Sequence, residues 1–81
     1  MPMELIDTVS LMVSEDYKDR FKAEYYQNRI RYEKLKNMVD NWDHLDFNPR
    51  CPKAIFLTQL DAMRAYINVL NYRAKEEGID L

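Results

Sequence analysis

A single glycine, Gly78, serves a chain of 81 residues, and only three prolines accompany it. Sandwiches, barrels and glycine-rich phosphate loops each need repeated backbone positions at positive φ, which glycine supplies at least cost. With one such position available, and that one near the C-terminus, the chain is confined to helices. Its length admits one small domain.

Cysteine and histidine are equally scarce. Cys51 has no partner for an internal disulfide, and with His44 as the only histidine the chain holds no His/Cys metal set. Stability therefore has to come from packing. Chains of this size bury only roughly 60% of their unfolded surface, so the expectation is a homo-oligomer, a dimer or higher.

The first long periodic stretch begins at Ser14, whose hydroxyl is suited to cap free amides while Glu15 and Asp16 sit at the positive end of the helix dipole. Tyr17, Phe21, Tyr25, Tyr32, Leu35, Met38, Val39 and Trp42 follow at spacings of three, four or seven, which places them on one face. This predicts helix one over residues 14–42, roughly 42 Å long. Asn48-Pro49 and Cys51-Pro52 then interrupt the pattern, giving a loop over 43–51. Helix two, residues 52–77, starts with Asn48 as cap or slips to Pro52, carries Phe56, Leu60, Met63, Ile67, Leu70 and Ala74 as its stripe, and stops at Gly78 in a left-handed cap. The fold class is all-α: a single helical domain of two long antiparallel helices, preceded over residues 1–13 by a short N-terminal arm or helix. The apolar Leu5, Ile6, Val9, Leu11, Met12 and Val13 want a cover. A dimeric four-helix bundle, with arms exchanged between copies, would provide one.

The formal net charge is −2, so the molecule offers no general field for a polyanion, which argues against nucleic acid as partner. That small sum conceals a dipolar layout. Residues 1–16 carry four acids and no base, residues 18–36 seven bases against three acids, and residues 37–49 three acids. No apolar run approaches the length of a membrane span and the N-terminus lacks the character of a signal peptide, so a cytoplasmic, membrane-free protein is expected.

Written as heptads, the inward seam of helix one is polar at its centre. Glu24, Asn28 and Arg31 occupy three consecutive seam positions where burial would demand apolar residues. Antiparallel pairing puts position i opposite roughly 94 − i, and helix two answers with Gln59, Tyr66 and Arg73 at seven-residue spacing. Together with Tyr25 and Tyr32 these form a candidate ligand site: guanidinium groups of Arg31 and Arg73 for phosphate, tyrosine rings to stack on a base, Asn28 and Gln59 to read its edge. The bland reading is a structural network in which Glu24 pairs with Arg73 and Asn28 sets the register. The basic outer face of helix one, Lys18, Lys22, Tyr26, Arg29, Glu33 and Lys36, reads as solvated. His44 and Cys51 belong to no recognisable nucleophile arrangement, so neither catalytic residues, metal ligands nor a cofactor are expected.

The runs Asp16-Tyr17-Lys18-Asp19-Arg20-Phe21-Lys22-Ala23-Glu24-Tyr25-Tyr26-Gln27 and Arg31-Tyr32-Glu33-Lys34-Leu35, with Gln59-Leu60-Asp61-Ala62-Met63-Arg64-Ala65-Tyr66, Leu70 and Arg73 beyond, resemble a widespread family of small phage and prophage proteins. It is the family named after a small protein of a crAss-like gut phage, and the resemblance covers most of residues 14–77. It implies a phage-encoded accessory protein with no established enzyme activity, acting in the cytoplasm of an infected bacterium. Small helical-hairpin phage proteins include sponges that sequester the nucleotide signals of bacterial immunity, an analogy of architecture. The expected function is thus sequestration of an anionic signal of the cyclic nucleotide or ADP-ribose type. The alternatives are a protein-binding inhibitor of a bacterial defence protein and a phage structural or assembly protein.

Overall fold

A computed structural model of the chain describes residues 3–81 and is helical throughout its regular structure. Met1 and Pro2, the first two residues of the expected arm, lie outside the described residues. A 3-10 turn, Leu5–Thr8, runs straight into the one-turn helix α1, Val9–Met12. The long helix α2 spans Tyr17–Asp40, a 3-10 turn follows at Trp42–His44, and α3 spans Lys53–Glu77. No described helix is long and apolar enough to cross a membrane.

The ends of the helices explain where they differ from expectation. Asp16, extended at ψ 123°, is the cap of α2, its carboxylate accepting from the Lys18 amide at 2.9 Å. Ser14 sits one step further out, accepting from the Asp16 amide at 3.1 Å and donating to Asp19 at 2.9 Å. An ionised cap binds free amides more strongly than a hydroxyl does, so the helix begins at Tyr17 rather than Ser14. At the other end the Asn41 side chain donates to the Asn37 carbonyl at 2.8 Å, which closes α2 at Asp40, short of Trp42. Trp42 opens the next turn instead, and its ring packs against Phe56 at 5.9 Å, tying the connection to the start of α3. Pro52 is the residue before α3, so the start is the later of the two proline positions. Gly78 takes φ 68°, and the Ile79 amide beyond it donates to the Ala74 carbonyl at 2.8 Å. That reversal turns the Ile79 side chain back into the core.

α2 and α3 pack antiparallel in the expected register, as the contacts Tyr17 with Glu77, Tyr32 with Arg64 and Trp42 with Phe56 mark out. The core collects Phe21 and Tyr25 from α2 and Ile67, Leu70 and Ala74 from α3, with Ile79 plugging the end and Tyr26 and Tyr32 partly buried against it. Leu70 is wholly sequestered. The opposite side of α2 is covered by the chain's own N-terminal arm. Buried Thr8 donates its hydroxyl to the Leu5 carbonyl at 2.7 Å and accepts from the Gln27 amide at 2.9 Å, and Ala23 is buried on the same side of α2. The arm is therefore a short helical segment laid on its own helix. α2 has both faces covered; α3 has one.

Truncation of Leu70 leaves a cavity that no neighbour fills, so Leu70→Ala is expected to cost about 3 kcal/mol in denaturant unfolding. Gly78→Ala meets nothing within 4 Å of the added carbon, so its cost is that of the left-handed backbone alone, about 1 kcal/mol.

Candidate functional site

The seam between α2 and α3 has two edges, and the candidate residues are divided between them. On α3 residues 64 and 66 are two apart, roughly 200° around the helix. The pair of Arg64 with Tyr32 and the pair of Tyr66 with Glu24 therefore lie on opposite edges.

The Glu24 edge carries most of the polar seam. Tyr66 donates its hydroxyl to the Glu24 carboxylate. Half-buried Asn28 donates its side-chain amide to the Glu24 carbonyl at 2.8 Å, one turn back on its own helix, which leaves its side-chain oxygen for another donor. Arg31 and Gln59 are exposed, and neither has a side-chain hydrogen bond or ion pair among the described residues. Arg73 stands apart, toward the end of α3. Its Nε donates to Glu77 at 3.2 Å, its terminal nitrogen to the Tyr17 hydroxyl at 2.7 Å, and its guanidinium lies 4.9 Å from the Phe21 ring centre. The Glu24–Arg73 ion pair anticipated from the register does not form: Glu77 lies one turn from Arg73 on the same helix face, and Tyr66 occupies Glu24.

Tyr25 and Tyr32 belong elsewhere. Tyr25 is buried in the core and accepts from Arg29 at 2.9 Å through its hydroxyl, while Arg29 also binds Glu33 at 3.0 Å. Tyr32 accepts from Arg64 at 3.0 Å, with the guanidinium 5.9 Å from its ring centre. Bonds from Glu33 and then from Tyr25 raise the pKa of Arg29, as the Tyr32 hydroxyl does for Arg64 and the Glu77 carboxylate for Arg73. All three stay cationic. Arg64 differs from the others in resting on a hydroxyl, which its Nε and one terminal nitrogen share, and on a ring face, with no carboxylate bound among the described residues, so its remaining donors are available to an anion.

Arg29 and Arg64 are the functional candidates that sequence reasoning missed. The spacing Tyr25, Arg29, Glu33 is an i, i+4 ladder that contains the first signal; the second follows only once Tyr32 is known to point to the Arg64 edge. A groove of about 220 Å³ is lined by Met3, Tyr25, Tyr26, Arg29, Ile30 and Glu33. A larger one of about 490 Å³ continues along α2 past Lys34 and Asn37. Both run beside the arm, and of the expected site residues only Tyr25 reaches them. Among the described residues no three His, Cys, Asp or Glu side chains gather to hold a metal.

A family model described as Sequestin matches residues 15–76. The chain belongs to the Sequestin family. No curated protein and no solved structure matches it. The matched span takes in α2, the connection and nearly all of α3 and leaves out the arm. The Sequestin pattern is thus the hairpin whose seam carries the Glu24 and Arg64 edges.

Tyr66→Phe removes one partly exposed hydrogen bond to a carboxylate and is expected to lower unfolding free energy by about 1 kcal/mol. Arg31→Ala removes no internal bond and should leave it within about 0.5 kcal/mol in the same melts.

Proposed function

We propose that this chain is a non-enzymatic, phage-encoded counter-defence protein that binds and sequesters an anionic nucleotide-type immune signal in a homo-oligomer, within the cytoplasm of the infected bacterium. Membership of the Sequestin family across the α2–α3 hairpin is the observation that carries the reading. Placement of the ligand rests on Arg31, whose guanidinium fork meets no carboxylate among the described residues and suits a phosphate. Asn28 and Gln59 beside it offer amide groups to a base edge, and the Tyr66 ring borders the same strip. Glu24, bonded to Tyr66 and Asn28, holds this edge in shape. Tyr25 and Tyr32 act from the other edge, where Arg64 extends the cationic surface; Arg73 joins by exchanging one of its bonds to Glu77 or Tyr17 for the ligand.

Sequestration requires no bond to be made or broken. It works by mass action, lowering the free signal once the protein exceeds it in concentration and binds it more tightly than the receptor does. Isothermal titration against cyclic dinucleotides and ADP-ribose-type signals is expected to give saturable binding that Arg31→Ala weakens by about 1.5–3 kcal/mol, the range for a charged hydrogen-bonding group. Loss with Arg64→Ala and not with Arg31→Ala moves the ligand to the other edge. Absence of heat and of thermal shift across the panel contradicts the function itself.

The arm favours a second reading, as a protein-binding inhibitor of a bacterial defence protein, because Ile6 and Val13 remain 73% and 71% exposed after it has packed. On that reading Ile6→Asp abolishes counter-defence while nucleotide binding is absent or unchanged.

A further inference from the structure

α3 bears two heptad seams. Phe56, Leu60, Met63, Ile67, Leu70 and Ala74 form the one that packs on α2. Ile55, Thr58, Ala62, Ala65, Val69 and Tyr72 form another, spaced three, four, three, four and three, on the side of α3 turned away from α2. All six are exposed, Ile55, Val69 and Tyr72 by 56%, 54% and 67%, and none is charged. The Thr58 hydroxyl is already spent on the Ala54 carbonyl at 3.0 Å. Solvated helix faces are ordinarily charged, and the outer flank of α2, with Arg29, Glu33, Lys36 and Asp40, is.

We propose that this outer seam of α3 is the surface on which a second copy of the chain docks, antiparallel, to form a dimer. The pattern is self-complementary about a two-fold axis between residues 63 and 64. Ile55 meets Tyr72 of the second copy, Thr58 meets Val69, and Ala62 meets Ala65, so large side chains close the ends and alanines let the helices approach at the centre. The flanks agree: Asp61 comes beside Asn68 of the second copy, and Gln59 beside its Tyr66, without like charges opposed. Charge at the helix ends selects the direction. Lys53 stands in the first turn of α3, with Arg50 in the connection just before it, and the last turn carries Lys75 beside Glu76 and Glu77; of these, Glu76 continues the outer seam, at the end the helix dipole makes negative. An antiparallel copy brings Glu76 to the basic, dipole-positive end of its neighbour; a parallel one sets Glu76 against Glu76.

The stripe is about 27 Å long, and half the girth of a helix about 11 Å across gives roughly 450 Å² per copy. The pair buries about 900 Å², the low end for specific association. The dimer is accordingly reversible and forms without ligand; it rests on the homo-oligomer of the proposed function and supplies its interface, while its own test reads association and not nucleotide binding. It also sets Gln59 and Tyr66 of each copy beside their counterparts, so the Glu24 edge continues across the two-fold axis.

Sedimentation velocity from low to several hundred micromolar is expected to show the full chain passing from monomer to dimer. Ala65→Glu, an exposed position with nothing to lose inside the monomer, should retain the helical spectrum and raise the dissociation constant more than about tenfold. Orientation is read by oxidative cross-linking in a Cys51→Ser background. Ile55→Cys mixed with Tyr72→Cys should yield a mixed disulfide dimer, and each alone should not. A wild-type chain monomeric at every concentration, a dimer indifferent to Ala65→Glu, or cross-links within the single-variant samples would overturn the proposal.

Discussion

The structure hangs on one line of contact, the inward seam of α3 against α2. Leu70 is stripped of solvent because Phe21 and Tyr25 arrive from α2 and Ile79 folds back past Gly78 to cover the end. Among the described residues no third long helix lies on the pair. The N-terminal arm can cover only one further face, and it takes that of α2 through Thr8 and Gln27. α3 is left with its back bare.

The same shortage of material shapes the candidate site. Two helices meeting along a single seam have a buried centre line and two wet edges, so Glu24, Asn28 and Arg31 are not the buried polar intruders that a bundle core would make of them. They are half-buried or exposed, and their cost is correspondingly small. Arginine is used here in two ways. Arg29 and Arg73 are each bound to a carboxylate one turn away on the same helix, whereas Arg31 and Arg64 have no carboxylate bound among the described residues and retain donors for a ligand. The proposed sequestering role draws first on the second pair, with Arg73 joining by exchange of a bond, and on the Sequestin pattern that spans both helices.

Much of this was legible in the residues. Gly78 and Pro52 mark the limits of α3, the three-and-four spacing marks its packed face, and the loop length sets the antiparallel register. Helix ends were misplaced by a few residues where two caps competed: Asp16 displaced Ser14, and Asn41 closed α2 before Trp42. The site was legible in level but not in direction. Opposed register places Tyr32 at the height of Arg64 and Glu24 near that of Tyr66, but one residue turns a helix by about 100°, so the edge to which each side chain points depends on packing that register alone does not contain. That is why Tyr25 and Tyr32, expected beside Arg31, stand with Arg29 and Arg64.

Sequestration differs from every catalytic or scaffolding role in its mass balance, and the direct measurement is recovery of the ligand. The protein is mixed with a substoichiometric nucleotide signal that it binds, passed through a membrane that retains the protein, then denatured and filtered again. The account predicts that the first filtrate is depleted of the signal and the second returns it chemically unchanged and in full. Signal left free in the first filtrate, or a converted product in either, would contradict it.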